Sequence, residues 1–190
     1  MDRNIGSVQD QDRYNRLLKE ILMSITDNQN ILKALKYDNT DLEFEKVEDV
    51  DIEEMMGHQI FHFKFIPKID TNATSYLCVS VGMLEPKTKT KGGKRSDDLL
   101  SMQVHCDVIV SNAIATLNGG NRSLYITNEI VKTLQGEVFK NTIGTVQHVS
   151  TQQVMTMSDF HGYFSVFEVY DFVDSYNDLG EEEDKKWGGW

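Results

Sequence analysis

The sequence has little cysteine, no long apolar run and too few positive charges to balance its acids. Two cysteines in 190 residues cannot supply the disulfide framework of a small secreted domain. Cys78 and Cys106 both lie inside alternating apolar runs, which reads as small buried side chains of a cytosolic protein. A disulfide between paired strands stays open as an alternative. No segment approaches the roughly 20 apolar residues needed to span a bilayer. The stretch Met1–Ser7 lacks the apolar run of a secretory signal, so no membrane partner is expected. With 19 Lys+Arg against 30 Asp+Glu, a surface that wraps nucleic acid over its whole extent is excluded.

Catalytic patterns are missing as well. No Gly-x-Ser-x-Gly elbow occurs. Gly92-Gly93-Lys94-Arg95-Ser96 has neither the earlier glycine nor the hydroxyl directly after lysine that a phosphate loop needs. His58 and His62 are four apart without the Glu that would follow the first histidine of a zinc-protease helix. His105 and Cys106 are neighbours, and neighbours on a strand point to opposite faces. No enzyme, catalytic residue, metal or cofactor is expected.

What is present is organised in blocks. The net charge of -11 is not evenly spread. Asp38–Glu54 holds nine acids and one base, Lys46, and Asp174–Trp190 holds six acids and two bases. The rest of the chain is close to neutral, with one basic run carrying Lys87, Lys89, Lys91, Lys94 and Arg95. Charge in blocks marks loops and tails rather than a fold. The nine Phe and seven Tyr argue against wholesale disorder.

Hydrophobic periodicity supplies the elements. Tyr14, Leu17, Leu18, Ile21, Leu22 and Ile25 form one helix face, with Asp10 or Asp12 as its start signal. Asp27 is placed to cap a second helix carrying Ile31, Leu32 and Leu35, giving a helical hairpin or a kinked helix. Phe61, Phe63 and Phe65 then alternate with His62 and Lys64, a half-buried strand ending near Pro67. Two more alternating runs follow, over Leu77–Met83 and Met102–Val110, and favour an antiparallel meander. Ile126, Ile130 and Leu134 give another helix, capped by Ser123 and stopped at Gly136. Thr145–Met157 and Gly162–Val173 close the series, with Asp159–Gly162 as the turn between them. The expected class is α+β: an antiparallel sheet of about five strands with one packed helix, an N-terminal helical hairpin and an acidic C-terminal tail. The divisions are residues 1–37 (helical arm), 38–56 (acidic linker), 57–173 (core) and 174–190 (tail).

The tail ends Glu181-Glu182-Glu183-Asp184-Lys185-Lys186-Trp187-Gly188-Gly189-Trp190. Indoles on an acidic tether read as anchors for a partner's pockets; a frayed terminus is the alternative. The candidate partner-binding residues are therefore Lys87, Lys89, Lys91, Lys94, Arg95, Glu181, Glu182, Glu183, Trp187 and Trp190.

The order of elements from Leu99 to Val173 resembles the tail-terminator and related neck proteins of tailed bacteriophages. The carrying segments are Val104–Val110 as a strand, Leu124–Leu134 as a helix and Gly162–Tyr170 as the last strand, with Leu17, Leu18, Ile21 and Leu22 as the leading helix. The resemblance is one of element pattern, and the acidic linker, basic loop and Trp-ended tail depart from the compact family form. It implies a non-enzymatic virion protein, assembled in the host cytoplasm, that forms a ring (a hexamer) of itself between the tail tube and the head-proximal connector. Such a ring sets the acidic segments of one copy against the basic loop of the next; DNA in the channel is the competing neighbour for that loop. A soluble adaptor that docks through its Trp tail is the alternative function.

Overall fold

The computed structural model describes residues 8–63, 75–83, 99–140, 142–157 and 159–172. The first apolar stripe forms α1 (Val8–Thr26), with Leu17, Ile21 and Ile25 buried. The helix starts ahead of Asp10 and Asp12, so these lie within it rather than at its cap. At its end the Thr26 hydroxyl turns back to the Leu22 carbonyl (2.8 Å). Asn28, not Asp27, caps α2 (Gln29–Lys36): its side chain accepts the Asn30 N–H at 3.0 Å. The two helices make a hairpin, and Ile31, Leu32, Ala34 and Leu35 of α2 are buried.

Among the described residues seven strands follow: β1 (Ile60–Phe61), β2 (Ser75–Met83), β3 (Leu99–Ser111), β4 (Thr116–Leu117), β5 (Gly120–Asn121), β6 (Ile143–Met157) and β7 (Phe160–Phe172), with α3 (Arg122–Leu134) between β5 and β6. The main sheet has the order β1-β2-β3-β7-β6, and β4 and β5 pair in a small hairpin. The fold is α+β, with the N-terminal helices ahead of a five-stranded sheet. Among the described residues no helix is long and apolar enough to cross a membrane.

One pairing departs from the expected all-antiparallel meander. β1 runs parallel to β2, with Ile60 opposite Leu77 and Phe61 opposite Cys78, so the sheet is mixed. The alternating phenylalanines over-stated this strand. It has two residues, and Phe63 is half exposed, its ring 5.5 Å from Phe61 in an edge contact. Phe65 lies outside the described residues. At the other end β7 begins at Phe160, two residues earlier than the expected turn allows.

Strand parity decides which side meets the helices. Leu77 and Val79 of β2, Met102, Val104, Cys106, Val108 and Val110 of β3, and Phe167 and Val169 of β7 join the helices in one core. α3 presents Ile126, Ile130 and Leu134 to it. Its cap is Asn121, whose side chain accepts the Leu124 N–H at 2.9 Å; Ser123, the expected cap, instead donates to Asn121 at 2.7 Å. Gly136 follows the helix end at φ +87°, a backbone region that glycine enters without strain. Cys78 pairs with Asp107 and Val79 with Cys106, so the two thiols point to opposite faces of the sheet. Both are buried, and neither is in a disulfide.

The acidic segment 38–56 packs onto the helical layer. Leu42, Val50 and Met55 are buried in the core, each contributing on the order of 2 kcal/mol by area. Amide side chains then fix its backbone. Gln29 exchanges two bonds with Val50 (2.8 and 3.2 Å), and Asn118 exchanges two with Leu42 (2.7 and 3.0 Å). Its acids answer the lysines of α2: Lys33, almost fully buried, meets Asp49 at 2.8 Å and the Phe44 carbonyl at 2.9 Å, and Lys36 meets Glu54 at 2.7 Å.

Candidate functional site

The residues singled out in the sequence, Lys87, Lys89, Lys91, Lys94, Arg95, Glu181, Glu182, Glu183, Trp187 and Trp190, lie outside the described residues. Their points of attachment are described. The basic run connects the end of β2 to the start of β3, and the tail continues from β7, where Phe172 pairs with Leu99. The basic run and the acidic tail therefore leave from the same end of the sheet.

Arg122 is a residue that sequence reasoning missed. It is fully buried, at the first position of α3, and its guanidinium donates to five carbonyls. Nε reaches Ile114 (2.8 Å), one terminal nitrogen reaches Ala34 (2.9 Å) and Tyr37, and the other reaches Asn39 (2.6 Å) and Thr116 (3.4 Å). Burial lowers its pKa, and the nearby Asp38 opposes that shift. The Ala34 and Tyr37 carbonyls lie at the C-terminal end of α2, where helix carbonyls lack internal partners and positive charge is favoured. Arg122 thus ties α2, the start of the acidic segment and the turn before β4 to one point. The arrangement is structural.

The sheet edges are where the molecule is unfinished. β6 is an edge strand. The first half of its outer side is closed: Val146 exchanges both backbone bonds with Gly136 and Glu137 (3.0 and 2.8 Å), and the His148 N–H reaches the Gln135 side chain at 2.7 Å. From Val149 to Met157 no partner strand adjoins the outer side among the described residues. Val149, Thr151, Gln152, Gln153 and Val154 are all exposed, Val149 by 53%.

Composition sharpens the point. From Asn141 to Ser158 there is no Asp, Glu, Lys or Arg, in a chain that is 26% charged. Natural edges are guarded by charge, proline or bulges, because a bare row of N–H and C=O groups templates another strand. β6 has bulges, with register shifts against β7 at Ile143/Gln147, His148/Ser150 and Met155/Met157, but it has none of the charges. The opposite edge is similar. Among the described residues β1 covers Leu77 and Cys78 of β2, and Ser75–Met83 is likewise free of charge.

This body of α2, α3 and sheet coincides with a known family. A family model, YomW, matches residues 28–169, well over half of the chain. The chain belongs to the YomW family. YomW is a phage-derived family. No curated protein matches the chain. The YomW region opens at Asn28, the cap of α2, and closes at Val169 in β7. It therefore includes the acidic segment, Arg122 and the whole of β6, while α1 and the C-terminal tail flank it.

Within the YomW region the histidines are spread out. His105 lies on the sheet face away from the helices, its ring 5.1 Å from Phe164 and Nε2 3.3 Å from the Gln103 side chain. His148 and His161 align across the strands with Phe167 and Val110, on the helical side. Among the described residues no group of three His, Cys, Asp or Glu is placed to hold a metal. Burial pushes the Cys106 thiol far above its ordinary range, and Asp107 adds to the shift, which leaves it an unreactive packing group.

His161 is the informative member. Its Nδ1 lies 2.9 Å from the Asn112 side-chain oxygen, to which the neutral ring donates. Nε2 is buried without a partner among the described residues. Protonation would bury an N–H with no acceptor, and burial accordingly lowers the pKa from 6.5. Because the folded value is depressed, the stabilisation is complete above the unfolded value, roughly pH 6.5, and is lost as pH falls toward the folded one. Urea midpoints are expected to drop between pH 7.5 and pH 5, and His161→Gln should flatten the drop relative to the wild type.

Proposed function

We propose that the protein is a non-enzymatic structural subunit of a phage particle that joins copies of itself edge to edge. The observation that supports this most is the charge-free stretch of β6 from Val149 to Val154, exposed on both faces and with no partner strand on its outer side among the described residues. A strand so presented gains backbone hydrogen bonds when another strand is added. The second uncharged edge, Val79–Met83 of β2 beyond β1, supplies an unlike surface. Two unlike, complementary surfaces on one protomer join head to tail, and such contacts close into rings when the rotation allows.

The finer reading is a ring at the neck, which terminates the tail tube and meets the head connector. Membership of a phage-derived family supports that setting. The basic run Lys87–Arg95 leaves from the β2 end of the sheet, where it would face the neighbour's acids or DNA in the channel.

The test is sedimentation of the full chain with and without charges at the edge. The wild type is expected to sediment as an oligomer whose population grows with concentration. Val149→Lys combined with Val154→Lys, both at exposed positions, should give a folded monomer by circular dichroism. A wild type that stays monomeric at every concentration would favour the adaptor. An oligomer unchanged by the two lysines would move the interface elsewhere.

A further inference from the structure

A second unfinished surface lies on α1. An open groove of about 600 Å³ runs between this helix and residues 52–62. Its walls are mostly apolar: Leu18, Leu22 and Met23 on one side, Ile52 and Met56 on the other. Met23 is 55% exposed. An apolar helix face left to water in this way calls for an occupant.

We propose that the occupant is the chain's own C-terminal segment, with Trp187 and Trp190 seated in the groove. Three observations meet here. The first is where the tail begins. Tyr170, two residues before the end of β7, pairs with Ile143, and the Lys140 N–H just upstream donates to the Glu20 carboxylate of α1 at 3.1 Å. The strand that carries the tail is thus paired to a segment that touches α1 three residues upstream. The second is length. Residues 173–190 follow the last described residue, and at about 3.3–3.6 Å per residue they reach about 60 Å when extended. That is ample to round the helix. The third is chemistry. An indole buries on the order of 150–250 Å² of surface, and the groove is built of Leu, Met and Ile. The acids Glu181–Asp184 come just before the first indole, while Lys19 lines the groove and Arg16 is exposed one turn away. Glu53 on the opposite wall is the one acid among the lining residues.

The docked tail covers the apolar face of α1 and keeps the free subunit from associating through it. This contact does not rest on the β6 edge, and it is expected to persist in the Val149→Lys/Val154→Lys chain.

Both tryptophans of the protein are in the tail, so indole fluorescence reports on this contact alone. The full-length chain is expected to emit at the short wavelengths of a dehydrated indole, to resist acrylamide quenching, and to do so equally at every dilution. Met23→Glu changes an exposed side chain and should leave the circular dichroism intact. It should shift emission to the red and raise quenching several-fold; Lys19→Glu should act in the same direction more weakly. Three results would overturn the proposal. They are a wild-type spectrum of solvated indole, a spectrum unmoved by Met23→Glu in a folded chain, and a blue-shifted signal that vanishes on dilution, which would give the groove to another copy's tail.

Discussion

Replacing Arg122 by alanine is expected to destabilise the protein by about 3–5 kcal/mol, because a large buried side chain is cut away and several buried carbonyls lose a charged donor. The guanidinium donates to the carbonyls of Ala34, Tyr37, Asn39, Ile114 and Thr116. Each buried carbonyl left without a donor costs about 1–3 kcal/mol, and water entering the vacated space recovers part of that. A domain is stable by only about 5–15 kcal/mol, so the loss would take a large share. The lost bonds hold the C-terminal end of α2 and the first residues of the acidic segment, and these should loosen first. Arg122→Lys keeps the charge but offers three donors in place of a planar fork of five, so it should lie between the two. Urea unfolding checks this: the midpoint should fall sharply with little change in slope. An alanine variant as stable as the wild type would mean that the carbonyls are satisfied in another way.

Gly162→Ala is expected to be nearly as damaging, at about 3 kcal/mol, the upper range for forced overpacking. Gly162 sits in β7 opposite Ile109 of β3 and Val154 of β6. A Cβ there would fall inside contact distance of the Val108 carbonyl oxygen, with the Val108 carbonyl carbon at 3.2 Å and the Ile109 Cα at 3.3 Å. The obstacle is backbone on the neighbouring strand, which cannot swing away as a side chain can. Relief requires β3 and β7 to separate, and these are inner strands of the sheet. Gly82→Ala is the control. Its Cβ would meet the end of the His105 ring at 3.7 Å and the Gln103 carbonyl oxygen at 4.0 Å, both ordinary contacts, and the effect should be within a few tenths of a kcal/mol or slightly stabilising. Thermal unfolding of the two variants side by side separates the steric effect from the loss of glycine itself.

The elements legible in the sequence were those whose periodicity coincides with burial. The Leu17–Ile21–Ile25 and Ile126–Ile130–Leu134 stripes, and the alternation of Met102 to Val110, appear in the structure with the expected faces inward. Caps were harder to place, because Asp27, Asn28, Asn121 and Ser123 are all competent residues and only backbone geometry chooses among them. The segment 38–56 read as a linker because its charge hides three apolar anchors, Leu42, Val50 and Met55, spaced without a helical or strand period. Arg122 left no local trace: one of its acceptors is 88 residues away, and nothing next to it in sequence signals burial. The uncharged window from Asn141 to Ser158 was present in the sequence all along. Its meaning depends on β6 being an edge, which is a property of strand order. Period alone does not reveal strand order.

Amide hydrogen exchange on β6 tests the edge-to-edge reading most directly. Alternate residues of an edge strand point their N–H groups away from the sheet. Those of Val149–Met157 that face away from β7 should be protected in concentrated protein. They should exchange at loop-like rates on dilution or in the Val149→Lys/Val154→Lys chain, while the amides bonded to β7 stay protected throughout. Fast exchange of the outward amides at every concentration, in a chain that still forms its oligomer, would contradict assembly through this edge.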